Sequence, residues 1–432
     1  MTYYSLNRQA PDATFEQAVV KGLAPDKGLY FPASVSPFTN DFLNTLENLS
    51  DHDIAIQTIK QFVLPDIPEK ALEEIISDTL DFDFPIVKLN ENISTLELFH
   101  GPTMAFKDVG ARFMARCLGY FNKHNEHEVT VLVATSGDTG GAVANGFLGV
   151  KGVHVVILYP SGKVSNIQEK QLTTHQQNIT ALEVDGVFDD CQDMVKQAFL
   201  DEELTSQLQL TSANSINVAR WLPQMFYFIF AYKRLKSHHK QISFSIPSGN
   251  FGNICAGMML QKLGLPIHHF IASNNANNVV AQYLHSEIYS PKASVQTISN
   301  AMDVGNPSNF TRIQEIYGHD FQNLKHHLSS FSYSDTMTKA AMRELYDVYN
   351  YVADPHGAVG YLGAKDYLKI NPDTHCVFLE TAHPTKFLDV VEDVIDIKLE
   401  LPEQIKSVID KEKSSIPISH YAELKSFLLS CS

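Results

Sequence analysis

EVTVLVATSGDTGGAVANGFLGVKGVHVVILYP, residues 128–160, decides the fold class. EVTVLVAT (128–135) is a short apolar run that ends in a glycine-rich turn, and VHVVILYP (153–160) is a second one. Runs of this length, rich in β-branched residues and bounded by glycine, read as buried strands, and the segment between them reads as a helix. Strand, helix, strand is the unit from which parallel sheets are built. The pattern continues outward. ITALEVDG (179–186), ISFSIP (242–247), IHHFIAS (267–273) and HCVFLE (375–380) read as further strands. NIQEKQLTTH (166–175), FDDCQDMVKQAFLDEELTSQL (188–208), VARWLPQMFYFIFAYKRLK (218–236, interrupted near its start by Pro223), ICAGMMLQKLG (254–264) and HGAVGYLGAKDYLK (356–369) read as helices. The expectation is an α/β protein whose sheet is largely parallel and buried on both faces.

The first 85 residues differ, with helical spacing in FEQAVVKGLA (15–24), HDIAIQTIKQFV (52–63) and EKALEEIISDTL (69–80), and an ordered turn at PDKGLYFP (25–32). With 432 residues, 44% apolar and 19% charged, the chain has enough apolar side chains for a sizeable core and length for two or three domains. Acidic residues outnumber basic ones 49 to 33, a net charge of −16 that repels nucleic acid and anionic membrane. A small anion is still a fitting ligand, because a few local donors override the mean field. Cys117, Cys191, Cys255, Cys376 and Cys431 are scattered without a CxxC pair, and HNEHE (124–128) lacks HExxH order and reads as a solvated loop. Neither a metal site nor a disulfide framework is expected. The N-terminus lacks the apolar segment of a secretory leader, and no apolar run reaches membrane-spanning length. A cytoplasmic protein is the expectation.

Ligands of open α/β sheets bind beyond the carboxyl ends of strands. Three segments there are rich in small polar residues. ATSGDTGGA (134–142) offers Thr135, Ser136, Gly137, Asp138 and Thr139 at a helix start, where free amides attract an anion. PSGNFGN (247–253) offers Ser248, Gly249, Asn250, Phe251, Gly252 and Asn253 in a similar position, with neither the P-loop lysine nor the dinucleotide glycine spacing. FHGPTMAFKDVGARFMAR (99–116) places Lys107 at or near a helix start, flanked by Phe106. The positive helix end and desolvation both lower a lysine pKa and free its amine for Schiff-base chemistry. A fourth segment, ETAHPTKF (380–387), puts Thr381 and His383 at the end of a late strand. Alone, each segment reads equally well as an ordinary turn, and Lys107 as an exposed lysine beside a solvated Asp108. Together, one amine, two anion-cradling turns and a hydroxyl suit a cofactor that has an aldehyde, a phosphate and a ring nitrogen.

HGPTMAFKD, TSGDTGGA, SGNFGN and ETAHPTKF, in this order and spacing, resemble the threonine synthase family of bacterial and fungal type. The N-terminal YYSLNRQ…FEQAVVKGLAPDKGLYFP and DPHGAVG (354–360) extend the resemblance from about residue 2 to about residue 390. It implies two open, twisted, mostly parallel sheets with flanking helices, like the tryptophan synthase β subunit, preceded by a mainly helical N-terminal region. The implied division is 1–85 for that region, 86–112 with 220–432 for a large cofactor-binding part, and 113–219 for a smaller one. The implied cofactor is pyridoxal 5′-phosphate, with Lys107 as its Schiff-base lysine, Ser248–Asn253 around its phosphate and Thr381 at its ring nitrogen. Thr135, Ser136, Gly137 and Thr139 would hold the substrate carboxylate, with Asp138 near the cofactor's 3′-oxygen. A carboxylate there is repelled unless one of the two is protonated. Asn214, Ser215 and Arg220 in NSINVAR (214–220), with Asn250, would hold the phosphate of O-phospho-L-homoserine. The implied reaction yields L-threonine and phosphate, in a monomer or weak homo-oligomer. A phospho-lyase or dehydratase on the same fold, or a non-catalytic binding protein, are the rival readings.

Overall fold

A computed structural model describes residues 1–124, 128–237 and 240–431. The HNEHE segment falls mainly on 125–127, outside the described residues. The N-terminal region is helical as expected, with Phe15–Lys21, Asp51–Val63 and Glu69–Thr79 as helices, and adds one antiparallel pair, β1 (Tyr3–Ser5) with β2 (Tyr30–Pro32). Next come β3 (Ile86–Lys88), β4 (Ile93–Glu97), β5 (Val129–Ala134), β6 (Val153–Pro160), β7 (Ile179–Val184) and β8 (Gln209–Ser212). They are followed by β9 (Gln241–Pro247), β10 (His269–Asn274), β11 (Leu328–Ser332), β12 (Thr374–Glu380) and β13 (Ile416–Ile418).

Two sheets form. The larger has six strands in the order β11-β10-β9-β12-β4-β3, parallel except for the β3–β4 pair. The smaller has five, β13-β7-β6-β5-β8, all parallel. Every residue of β5, β10 and β12 is buried, as strands covered by helices on both faces require. Met225–Leu235 is apolar on all sides through Ala231 and is accordingly buried from Met225 to Ala231.

Two expectations are corrected. The run 188–208 is two helices, Phe188–Leu200 and Glu202–Gln207, because Asp201 takes an extended conformation and its carboxylate caps the second helix through the amides of Glu203 and Leu204. The run 218–236 is interrupted near its start as expected, with a 3₁₀ turn at Leu222–Gln224 around Pro223, whose ring disfavours an α-helix interior. The assignment of everything after 220 to the larger part fails at the end of the chain. β13 pairs with β7, and Ile418, Leu424 and Leu428 join the apolar cluster of Leu182, Val184 and Cys191. An edge strand with an apolar flank needs a cover, and β13 with the helix Tyr421–Ser430 supplies it.

Candidate active site

The carboxyl ends of β5, β9 and β12 meet in one cleft of about 490 Å³ between the two sheets. It is lined by Lys107, Ser136, Asp138, Thr139, Arg220 and Thr381, among others. Lys107 is the first residue of the helix Lys107–Phe121. Its place is set by the backbone before it: the Phe106 amide donates to the Thr381 carbonyl at 2.9 Å, and Ala105 bridges Ala382. The Lys107 side chain is 17% exposed and lies 3.8 Å from an Asp138 oxygen, with its ammonium 4.5 Å from the Phe106 ring centre. Burial pulls its pKa below the ordinary lysine range. Asp138 opposes that shift, and Lys386 and Arg220 add to it. Asp108, by contrast, is buried rather than solvated, accepting from the Thr103 amide at 2.9 Å and from the Thr103 hydroxyl. Burial raises its pKa.

The turn after β5 is held from inside. Thr135 Oγ accepts from the amides of Gly137 at 3.0 Å and Gly140 at 2.9 Å, so this hydroxyl shapes the turn. Gly137 has φ +148°, and a Cβ there would come within 2.6 Å of the Gln168 carboxamide. That carboxamide donates to Asp138 at 3.0 Å. Gly137, at the N-cap, has no side chain to cap the helix that begins at Asp138, and with the Gly140 amide taken by Thr135 it is the amides of Asp138 and Thr139 that are left to the cleft. Ser136 and Thr139 also reach the cleft.

The turn after β9 is similar. Phe251 takes the left-handed conformation, φ +61°, and the helix Gly252–Lys262 starts without a side-chain cap. Gly249 lets the backbone of Met302 approach, since a Cβ would lie 2.7 Å from the Met302 Cα. Asn253 ties back to the Pro247 carbonyl at 3.0 Å, and Ser248 to that of Ile246 at 2.9 Å. Asn250 donates to Ser215 Oγ at 2.9 Å and accepts from the Ser308 amide at 2.6 Å. Asn214 donates to the Ala134 carbonyl at 3.2 Å. These bonds bring the 214–220 segment, predicted from sequence to hold a phosphate, against both turns. Arg220 is 4% exposed, donates to the Ala213 carbonyl and meets no carboxylate in an ion pair among the described residues. Burial lowers its pKa to about 10, which leaves it charged at neutral pH. Thr381 is buried at the cleft, and its hydroxyl makes no bond to protein among the described residues.

Sequence reasoning missed four contributors. Lys386 is fully buried, 2.7 Å from Asp138 Oδ1, and donates to the Thr103 carbonyl at 2.9 Å. Gln168 is the second partner of the same oxygen. His356 bonds Asp354 through Nδ1 at 2.8 Å and accepts the Ala301 amide on Nε2 at 3.2 Å, so Nδ1 carries the proton. The stretch 292–308 forms a wall of the cleft, tied down by Asn275 to Thr297 and Asp303, both at 2.8 Å. Lys386 and His356 stand in segments already singled out, ETAHPTKF and DPHGAVG, though without a role for either, and Gln168 and the 292–308 stretch carry no local signal.

An amine that burial keeps available, a free hydroxyl at a strand end and an uncapped helix start around one cleft fit an aldehyde, a ring nitrogen and a phosphate. The class agrees: residues 87–381 match the family described as pyridoxal-phosphate dependent enzyme. Residues 2–80 match the threonine synthase N terminus, and 357–428 the threonine synthase C-terminal region. The threonine synthase of Buchnera aphidicola from Acyrthosiphon pisum is 41% identical, over 99% of this chain and 100% of the relative. The crystal structure of threonine synthase from Escherichia coli superposes with a TM-score of 0.94 at 40% identity, covering 100% of both chains. That of PLP-bound threonine synthase from Brucella melitensis gives 0.92 at 32%, covering 99% of this chain and 98% of the other. The chain belongs to the threonine synthase family.

Proposed function

We propose that this cleft converts O-phospho-L-homoserine and water to L-threonine and phosphate, the closing step of threonine biosynthesis. The observation that carries the reading is the meeting of Lys107, Thr381, two uncapped helix starts and an unpaired Arg220 in a single cleft. Pyridoxal phosphate, when bound, supplies an electron sink at the substrate's α-carbon. Lys107 would hold its aldehyde carbon, Ser248–Asn253 its phosphate, and Thr381 its ring nitrogen through a hydroxyl that does not enforce protonation. Ser136, Gly137 and Thr139 receive the substrate carboxylate at the helix start. Arg220, with Asn214, Ser215 and Asn250, receives the leaving phosphate. Lys107 would take the proton at Cα and carry one at Cβ, which demands the neutral amine that burial favours. Phosphate would depart from Cγ, a proton would return to Cγ to make the methyl group, water would add its hydroxyl at Cβ, and the last proton would return to Cα.

The charge of −16 argues against nucleic acid as a partner. No helix among the described residues is long and apolar enough to cross a membrane. The free thiols Cys117, Cys191, Cys255, Cys376 and Cys431 suit a reducing compartment such as the cytoplasm.

The test is incubation of the protein, loaded with pyridoxal phosphate, with O-phospho-L-homoserine while threonine, 2-oxobutanoate and phosphate are all measured. Threonine and phosphate in equal amounts are expected. 2-Oxobutanoate in place of threonine would make the chain a phospho-lyase. Lys107→Ala is expected to fold, to abolish turnover and to abolish the absorbance change on cofactor binding.

A further inference from the structure

Asp138 stands between two lysines. Its Oδ2 lies 3.8 Å from the Lys107 amine, and its Oδ1 lies 2.7 Å from that of Lys386. The Lys386 side chain has no exposed surface, while that of Lys107 is 17% exposed toward the cleft. A buried ammonium is costly unless paired, so its position calls for an explanation. Packing does not supply one, because an apolar side chain would fill the same volume without a counter-charge.

We propose that Lys386 is a positioning residue that holds the Asp138 carboxylate as its own partner and so leaves Lys107 a weaker hold on its proton. This rests on the reading of Lys107 as the cofactor lysine. Without Lys386, the nearest cation to Asp138 would be Lys107, and a close ion pair would fix that amine in its charged, unreactive form. With Lys386 in place, the pair is satisfied from behind the cleft. Gln168 Nε2, 3.0 Å from the same oxygen, keeps the carboxylate turned that way. Burial by itself would raise the Asp138 pKa, but Lys386 and then Lys107 overcome it and hold the group well below the usual carboxylate range. The two lysines and one carboxylate therefore sum to one positive charge when Lys107 is protonated and to none when it is not. The neutralised carboxylate also answers the repulsion expected between Asp138 and the cofactor's 3′-oxygen.

The other charged groups around Lys107 are Arg220, which repels its proton, and Asp354, which favours it. Asp108 and His383 complete the surroundings of Lys386. None of these bonds Asp138, so substitutions at 138 and 386 move the charge at Lys107 in opposite directions.

The experiment follows the absorbance change when cofactor-free protein is mixed with pyridoxal phosphate across a pH series, since only the neutral amine attacks the carbonyl. Titration of the free cofactor is common to all variants. Lys386→Met should move the rate midpoint upward by about one pH unit, because it removes a like charge and leaves Asp138 to Lys107 alone, and a charge at this range shifts a pKa by ~1–3 units. Asp138→Asn should move it downward, and the double variant should return toward the wild-type value. The acid limb of the kcat profile should follow the same order. An unmoved midpoint in Lys386→Met, or shifts of the same sign in both single variants, would overturn the proposal. Should Lys386→Met fail to fold, the comparison of Asp138→Asn with the double variant decides, since the double must lie above the single. Lys107→Ala separates the two levels: an undiminished absorbance change there sinks the lysine assignment itself, whatever the other variants do.

Discussion

Arg220 is a buried guanidinium that forms no direct ion pair with a carboxylate among the described residues, Asp108 favouring its charge only without contact. Such a group is tolerable when an anion completes it during function. Arg220→Ala is therefore expected to raise KM for O-phospho-L-homoserine by about 10- to 100-fold, the loss of a charge-assisted contact of ~1.5–3 kcal/mol. Pyridoxal phosphate affinity should stay within about twofold, since the proposed place for its phosphate is the 248–253 turn rather than Arg220. Equal losses in both affinities would make Arg220 structural, and steady-state kinetics alongside cofactor titration distinguishes the cases. Single residues were legible in the sequence where their chemistry is local. Lys107 stands beside Phe106 at a helix start, and both facts lie within a few positions of it. Lys386 was not legible, because its meaning depends on a carboxylate at 138 that only the meeting of β5 and β12 turns brings near. Thr135 was half legible: its hydroxyl was foreseen at the site, but its turn-shaping bonds to Gly137 and Gly140 are a matter of backbone geometry.

At the scale of elements, the turns carry more information than the helices. SGDTGG and SGNFGN each end a buried strand and open a helix without a side-chain cap, and both were predicted from composition alone. Helix extents were less legible. An apolar period passes through Asp201 without interruption, yet Asp201 serves better as a cap, and it also binds Lys425 from the far end of the chain. The short strands β8, β11 and β13 escaped because three to five residues hold too few repeats for a period to show. The turn after β5 offers a direct test. Gly137→Ala places a methyl group in a left-handed backbone against the carboxamide that bonds Asp138. The substitution should lower stability by about 1–3 kcal/mol, the range for strained backbone at non-glycine residues. It should also raise KM for the substrate, because the displaced Gln168 frees Asp138 to turn and the helix start shifts with it. Chemical denaturation and kinetics on the same preparation check both, and an unchanged denaturation midpoint would show that the turn relaxes without strain.

For the molecule as a whole, the cleft belongs to two sheets whose strands come from interleaved parts of the chain, and the C-terminal segment binds them together. It leaves the larger sheet after β12, crosses to the smaller one and ends as the helix Tyr421–Ser430 against Phe188–Leu200 and Glu202–Gln207. This crossing was not legible in the sequence, since β13 is three residues long and its pairing with β7 is set by which edge is left open. Its consequence reaches the site, because Phe188, Asp189 and Gln192, at the start of the buttressed helix, line the cleft. Leu424 is fully buried in the cluster that joins these helices to β7. Leu424→Ala should cost about 3 kcal/mol, near the middle of the range for a buried leucine truncated without collapse of the cavity. Because the cluster supports the smaller sheet and not Lys107, kcat should change less than KM, and cofactor binding should be nearly unaffected. Urea unfolding followed by intrinsic fluorescence and by bound-cofactor absorbance separates the outcomes. Coincident loss of both signals at a lower midpoint would mean that the two sheets unfold as one unit. Loss of substrate affinity before loss of cofactor would mean that the C-terminal segment stabilises the smaller sheet alone.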